Sequence, residues 1–150
     1  MAAEYYVDDY FENLLETNVE LLSFSGQKIL IEFSTFSEPV NIHNTLFTLN
    51  TKGYHPILAH PERYLYYENN FEQFEKIRSM GCSLQVNLLS LSGYYGSAQK
   101  KLSVKLLKAD LVDYLGTDLH RQSQLKYLST HIDVSILKLL GRKTFKNNQL

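Results

Sequence analysis

Short apolar segments alternate along the chain with longer segments in which apolar residues recur every three or four positions. The apolar segments, which are rich in Ile, Leu and Val, predict β-strands at 28–33, 54–59, 83–88 and 111–116. The periodic segments predict helices at 10–22, 40–52, 70–80, 97–109, 122–129 and 133–140. Strands that alternate with helices and are joined by short loops predict an α/β fold with a parallel sheet and right-handed crossovers.

The two ends of the chain lack this periodicity. Residues 4–10 are acidic and aromatic, so we expect a loop there, and the polar, basic segment 141–150 is expected to form a tail. The chain has 150 residues, a length typical of one domain with its own hydrophobic core. We therefore expect a single domain over residues 1–150.

Polar side chains recur where the predicted strands end, at an interval of 27 or 28 residues. The series consists of Glu4, Glu32, His60 and Asn87, and it closes with Asp118 and His120. A constant interval of this kind indicates repeated strand–helix units. Active sites in parallel α/β folds form at the carboxyl ends of the strands, so we expect the members of this series to converge on one rim of the sheet.

The side chains of this series have the chemistry of a metal site. Carboxylate oxygens and imidazole nitrogens suit Mn, Zn or Fe better than an ion that prefers thiolates. An unpaired carboxylate inside an apolar strand is costly, which favours a ligand role for Glu32 over a structural ion pair. Arg63 closely follows His60, and its guanidinium group suits recognition of a phosphate. Asn87 is expected to tie neighbouring loops together by hydrogen bonds.

The composition narrows the possible partners and the cellular compartment. A formal net charge of −1 leaves no basic surface for nucleic acid or an anionic membrane. No apolar run approaches the roughly 20 residues that span a bilayer, and the first residues lack the features of a signal peptide. The single cysteine, Cys82, is expected to be a small buried residue rather than a nucleophile. These features favour a cytoplasmic protein.

Several motifs, in this order along the chain, resemble the PHP (polymerase and histidinol phosphatase) superfamily. They are Ala-Glu-Tyr-Tyr at 3–6, Leu-Ile-Glu-Phe at 30–33, Ala-His-Pro-Glu-Arg-Tyr at 59–64, Gln-Val-Asn at 85–87 and Gly-Thr-Asp-Leu-His at 116–120. Within this superfamily they are most similar to the bacterial protein-tyrosine phosphatases of capsule and exopolysaccharide synthesis. The likeness extends from about residue 3 to residue 128.

The resemblance implies a distorted (β/α)7 barrel that binds a cluster of divalent metal ions, with Mn favoured over Fe or Zn. It also implies metal-assisted hydrolysis of a phosphoester without a cysteine nucleophile. The implied substrate is a phosphotyrosine protein, such as the tail of a tyrosine kinase. Arg63 corresponds to a catalytic arginine that binds phosphate, and Arg121 is nearest to the place of a second one. The implied metal ligands are Glu4, Glu32, His60, Asp118 and His120.

The family begins with a His-x-His strand and further ligands, and no such segment precedes Glu4 in this sequence. We therefore expect a partial barrel that lacks its N-terminal strands, binds metal weakly and hydrolyses little phosphoester. The strand at 28–33 would then have an open edge, through which the chain is expected to self-associate. Two alternatives remain: a non-catalytic remnant that acts as a binding module, and a phosphatase for small phosphate esters.

Overall fold

The computed structural model describes residues 3–17 and 19–150 of the chain. The β-strands are Glu4–Tyr6 (β1), Lys28–Glu32 (β2), His55–Ala59 (β3), Ser83–Asn87 (β4) and Tyr114–Gly116 (β5). The α-helices are Asp9–Glu16 (α1), Ile42–Thr51 (α2), Glu72–Ser79 (α3), Leu88–Ser92 (α4), Ser97–Lys108 (α5), Gln122–His131 (α6) and Val134–Leu140 (α7). Short 3-10 turns at Pro61–Arg63 and Leu65–Tyr67 follow β3.

The strands form one five-stranded sheet in the order β1-β2-β3-β4-β5, and every neighbouring pair is parallel. This arrangement confirms the predicted α/β fold with a parallel sheet. Each crossover connects a strand to its neighbour in the sheet, and the strands follow one another across the sheet in chain order. Right-handed crossovers that all advance in one direction place their helices on the same face of the sheet.

The hydrophobic core lies on the helix-covered face of the sheet. Ile29 and Ile31 of β2, Leu58 of β3, and Leu84 and Val86 of β4 are fully buried there and belong to one cluster. Successive side chains of a strand point to opposite faces, so residues two apart in β2 share the core. Burial of each such side chain stabilises the fold by about 1.5–3 kcal/mol.

The other face of the sheet is more open and carries the polar residues. Lys28, Leu30 and Glu32 of β2 alternate with the buried isoleucines and are only half-buried. Glu4 of β1 is in register with Leu30, so it lies on this same open face. The open face therefore leads to the rim on which the candidate ligands were expected.

The first strand corrects two expectations from the sequence. Residues 4–6, expected to lie in a loop, form β1, and Val7 continues the pairing by donating its N–H to the Glu32 carbonyl at 2.9 Å. The segment was missed because three residues are too few to display a period. Since β2 is paired with β1 on one side and β3 on the other, the expected open edge at 28–33 is wrong. Among the described strands, β1 takes the edge position.

Two helices also differ from the expectations drawn from the sequence. The helix expected over 10–22 ends at Glu16, where both the backbone N–H and the hydroxyl of Thr17 donate to the Leu14 carbonyl. Residues 19–23 are not helical, and the N–H of Leu21 donates to the Tyr54 hydroxyl at 2.9 Å. The short helix α4 follows β4 without a loop and was not predicted.

The polar segment 141–150, expected to be a tail, lies against the outer edge of β5. The side chain of Asn147 accepts the N–H of Leu115 at 3.0 Å and donates to the Leu115 carbonyl at 2.8 Å. Lys146 donates its N–H to the Asp113 carbonyl at 2.8 Å, and its ammonium pairs with the Asp113 carboxylate. These contacts are polar, so hydrophobic periodicity could not reveal them. No helix in the described part of the chain is long and apolar enough to cross a membrane.

Candidate functional site

Three side chains from adjacent strands meet at the rim where the strands end. Glu4 comes from β1, Glu32 is the last residue of β2, and His60 directly follows β3. Nε2 of His60 lies 3.4 Å from Oε1 of Glu4 and 3.3 Å from Oε2 of Glu32. One ligand atom from each of the three residues falls within 4.8 Å of the others. We call this group the carboxylate–imidazole cluster.

The backbone of His60 turns sharply to place its ring in the cluster. His60 has the left-handed conformation, with φ 35° and ψ 53°, and its side chain is buried. Pro61 follows and begins a 3-10 turn that ends at Arg63. Left-handed backbone costs an ordinary residue about 1–2 kcal/mol, and short polar side chains tolerate it best. Tight packing on both sides must therefore hold this turn.

The ring of Tyr64 provides part of that packing. Tyr64 is completely buried, and its ring centroid lies 5.8 Å from that of His60. Its hydroxyl donates to the Ala59 carbonyl at 3.0 Å and accepts the Phe33 N–H at 2.9 Å. This one side chain therefore connects the ends of β2 and β3 beside the cluster.

Asp118 and His120 form a second group at the end of β5. Oδ1 of Asp118 lies 2.7 Å from Nε2 of His120, and Oδ2 accepts a hydrogen bond from the Asn87 side chain at 3.1 Å. Oδ2 also lies 3.5 Å from Nη1 of Arg63. As expected, Asn87 ties neighbouring loops together. Arg63 thus contacts this pair, and its charge also helps to lower the pKa of Glu32 in the carboxylate–imidazole cluster.

Buried polar side chains lie next to the rim residues. Glu62 and Asn87 are completely buried, and the N–H of Asn87 donates to Oε1 of Glu62 at 3.1 Å. Burial raises the pKa of the Glu62 carboxyl. Four buried atoms here have no hydrogen-bond partner among the described residues: Nδ1 of His60, Oε2 of Glu62, Oδ1 of Asn87 and Oγ of Ser90. The burial of Glu62 was not predicted, because the Glu of a Pro-Glu-Arg segment is normally exposed.

The cluster has the electrostatics of a cation site. Burial lowers the pKa of His60, but hydrogen bonds to Glu32 and Glu4 act in the opposite direction and raise it to about 9. The hydrogen bond to His60 lowers the pKa of Glu32. At neutral pH without metal, the cluster therefore holds an imidazolium between two carboxylates. Replacement of that proton by a divalent ion would keep a positive charge at the same point.

The high pKa of His60 predicts that metal binding will depend on pH. A metal ion must displace the Nε2 proton, so the affinity for Mn²⁺ should rise about tenfold per pH unit from pH 7 and level off above about pH 9. Calorimetry in buffers of different ionisation enthalpy should detect release of about one proton near neutral pH. A Mn²⁺ affinity that stays constant over this range would contradict the assignment of His60.

The raised pKa of His60 also predicts how the stability of the metal-free chain changes with pH. The folded value of about 9 lies above the ordinary 6.5, so the ion pairs of His60 stabilise the fold fully below about pH 6.5. This stabilisation should be lost as the pH rises through 9. Urea unfolding without metal, followed across that range, measures the loss.

The donor set of the cluster fits a divalent metal ion. Two carboxylates and one imidazole meet in a space that a single ion could bridge, and imidazole and carboxylate suit Mn, Fe and Zn. By contrast, the Cys82 thiol is buried away from the rim, and burial raises its pKa to about 12. A protonated, buried thiol is a poor nucleophile.

The two candidate arginines have different surroundings. Arg63 is partly exposed, and its Cζ lies 5.0 Å from the centroid of the Tyr95 ring. Arg121 is exposed just before α6, where its N–H donates to Oε1 of Gln124 at 2.9 Å. In the described part of the chain no ion pair joins Arg121 to the rim. Its role in binding phosphate stays a prediction.

Several known proteins are similar to this chain in sequence and in fold. CpsB of Streptococcus pneumoniae, a tyrosine-protein phosphatase, is 32% identical over 148 residues, which are 95% of this chain and 60% of that protein. YwqE of Bacillus subtilis (strain 168), also a tyrosine-protein phosphatase, is 33% identical over 102 residues, 67% of this chain and 40% of that protein. A putative tyrosine-protein phosphatase, CapC of Staphylococcus aureus, is 30% identical over 75% of this chain and 44% of its own length.

The chain also superposes on a solved structure from a study of YwqE from Bacillus subtilis and CpsB from Streptococcus pneumoniae, described as unique metal-dependent tyrosine phosphatases. The TM-score is 0.77 at 27% identity, over 97% of this chain and 57% of that chain. The chain thus spans about 40–60% of the length of these relatives. A family model for capsular polysaccharide synthesis proteins, CpsB/CapC, matches residues 2–145 and confirms the resemblance found in the motifs. The chain belongs to the CpsB/CapC family.

Proposed function

We propose that this chain carries the metal- and phosphate-binding rim of a metal-dependent phosphatase that acts on phosphotyrosine in proteins. The observation that carries the proposal is the meeting of Glu4, Glu32 and His60 within 4.8 Å, with Arg63 beside them. The relatives named as tyrosine-protein phosphatases support this choice of reaction. The tail of a tyrosine kinase is the proposed protein substrate.

Each group on the rim has a separate task in the proposed reaction. A bound divalent ion would supply an activated water and neutralise charge that develops on the phosphoryl oxygens. Glu4 and Glu32 provide the negative charge that holds the ion, and His60 adds a neutral nitrogen once its proton has left. Arg63 presents N–H donors to the phosphoryl oxygens, because its fork can pair with two oxygens at once. Asn87 holds the Asp118 carboxylate in position by a hydrogen bond.

We propose manganese as the metal, ahead of iron or zinc. The cluster contains two carboxylates for one imidazole, and sites rich in oxygen ligands suit Mn²⁺. We expect weak binding and slow hydrolysis by the 150-residue chain, because the described structure brings three of the five proposed ligands together around one point. Asp118 and His120 are proposed as further ligands on the side of Arg63.

The order of the strands supports a barrel of the PHP type as the proposed full architecture. In a βα-barrel the strands follow in sequence order, as β1 to β5 do here, and the helices cover the outer face of the sheet. The edge of β1 is where such a barrel would continue. An edge strand offers unpaired N–H and C=O groups to other chains. We therefore propose that the isolated chain self-associates through β1, which light scattering can test.

A phosphatase assay with added Mn²⁺ tests the proposed function. We expect slow release of phosphate from a phosphotyrosine peptide, complete loss of this release with a chelator, and little release from the matching phosphoserine peptide. Tight binding of the phosphotyrosine peptide without hydrolysis would indicate a binding module instead. Equal hydrolysis of small alkyl phosphates would indicate a phosphatase for small esters. Release that persists in the chelator would contradict metal-dependent hydrolysis.

A further inference from the structure

A cleft of about 300 Å³ opens beside Arg63. Its lining residues come from separate parts of the chain: Thr35, Arg63, Leu65, Tyr95 and Gln99. Thr35 follows β2, Leu65 begins the turn after Arg63, and Tyr95 and Gln99 come from the junction of α4 and α5. The cleft shares Arg63 with the rim, so a ligand could extend from one to the other.

Tyr95 forms a fixed wall of this cleft. Its ring meets the ring of Tyr94 edge-on at a centroid distance of 5.1 Å, and Tyr94 meets Tyr127 in the same way at 5.1 Å. Gly93 and Gly96 flank the two tyrosines with φ of 90° and 121°, values that only glycine adopts without strain. The turn and the aromatic contacts together hold the Tyr95 ring in one orientation.

The lining has the chemistry of a site for an aromatic group attached to an anion. Among the described residues that line it, Arg63 carries a charge, Leu65 and Tyr95 provide apolar surface, and Thr35 and Gln99 provide neutral hydrogen-bonding groups. Cζ of Arg63 lies 5.0 Å from the centroid of the Tyr95 ring. An aromatic ring attached to an anion that Arg63 binds can therefore contact Tyr95. A cleft of this volume is at the small end of ligand sites, which suits a single ring.

We propose that this cleft binds the aromatic ring of the substrate's phosphotyrosine and that Tyr95 sets the preference for aryl over alkyl phosphates. The proposal rests on the phosphatase function proposed above. In this arrangement Arg63 binds the phosphoryl group at the boundary between the rim and the cleft. The substrate ring packs against Tyr95 and Leu65, where offset or edge-to-face contact is favourable.

Binding of two phosphonates separates ring recognition from anion recognition. Phenylphosphonate and methylphosphonate carry the same anionic group, and only the first has a ring. By calorimetry on the manganese-loaded chain, we expect phenylphosphonate to bind about tenfold more tightly, in line with one buried aromatic contact. Tyr95→Leu should reduce this ratio to about twofold without weakening methylphosphonate. Tyr95→Phe, the matched control, should retain the ratio because it keeps the ring.

A second variant tests the cleft without touching the aromatic contacts. Gln99 lies in the first turn of α5, and the larger side chain of the Gln99→Trp variant should fill the cleft. We expect this variant to bind phenylphosphonate severalfold more weakly and methylphosphonate with unchanged affinity. An equal loss of both ligands in Tyr95→Leu would show that Tyr95 only holds Arg63, and would overturn the subsite. Equal affinity of the parent chain for both phosphonates would overturn it too. Failure of the parent to bind either one would overturn the proposed function, and the subsite with it.

Discussion

Replacement of Glu32 by glutamine is expected to lower the affinity of the chain for Mn²⁺ by about a hundredfold or more. The change removes one of the two carboxylates that face Nε2 of His60 at 3.3–3.4 Å and leaves a group of the same size. Loss of even an outer partner of a metal ligand typically costs about 10–100-fold in affinity, so loss of a ligand charge should cost at least as much. Calorimetric titration with Mn²⁺ near neutral pH measures the change.

The matched control for this prediction is Glu68→Gln. Glu68 is an exposed carboxylate that follows the Leu65–Tyr67 turn and lies outside the cluster, so its replacement should change Mn²⁺ affinity by less than about twofold. A comparable loss in both variants would mean that the ion responds to the net charge of the chain. An unchanged affinity in Glu32→Gln would remove Glu32 from the site altogether.

Replacement of Arg63 by alanine is expected to lower the affinity for inorganic phosphate about thirtyfold and the hydrolysis of an aryl phosphate about a hundredfold. Hydrogen bonds to charged groups contribute about 1.5–3 kcal/mol each, and donors that stabilise developing charge contribute more in the transition state. The affinity for Mn²⁺ should not fall, because Arg63 offers no metal ligand and its loss removes a positive charge beside Asp118 and the carboxylate–imidazole cluster.

Arg63→Lys distinguishes the guanidinium fork from simple positive charge. Lysine keeps the charge but lacks the planar pair of donors, so we expect it to recover only part of the phosphate affinity. Phosphate binding and manganese content should be measured in the same preparations. Equal loss of phosphate and manganese in Arg63→Ala would indicate that Arg63 only supports the fold of the rim.

The sequence predicted best what depends on long apolar runs. The strands β2, β3 and β4 lie where the runs at 28–33, 54–59 and 83–88 indicated, because each run supplies apolar side chains that the core buries. The strand β1 and the helix α4 are too short to show a period. The attachment of 141–150 depends on polar contacts of Asn147 and Asp113, which no hydrophobic pattern records.

The sequence indicated which polar residues lie at the rim but not that they divide into the carboxylate–imidazole cluster and the pair of Asp118 and His120. Glu32 and His60 stood out because a charged or polar residue ends an apolar strand. The pairing of Glu4 with both of them follows from the register of β1 against β2, where Glu4 lies opposite Leu30, and the sequence does not specify that register. Glu62 was missed, because its importance comes from burial and from its hydrogen bond to Asn87, which is distant in the sequence.

The left-handed backbone of His60, with φ 35°, has a counterpart in Asp118, with φ 48°. At these two positions the proposed ligand role and the backbone conformation both limit which residues fit. Asn, Asp and His enter the left-handed region most readily, whereas β-branched residues are strongly disfavoured there. Glutamate or glutamine at either position would offer an oxygen donor but conflict with the left-handed backbone. Few substitutions at His60 or Asp118 could therefore change the metal preference and still fit the turn. Asparagine is one that suits the left-handed backbone at both positions.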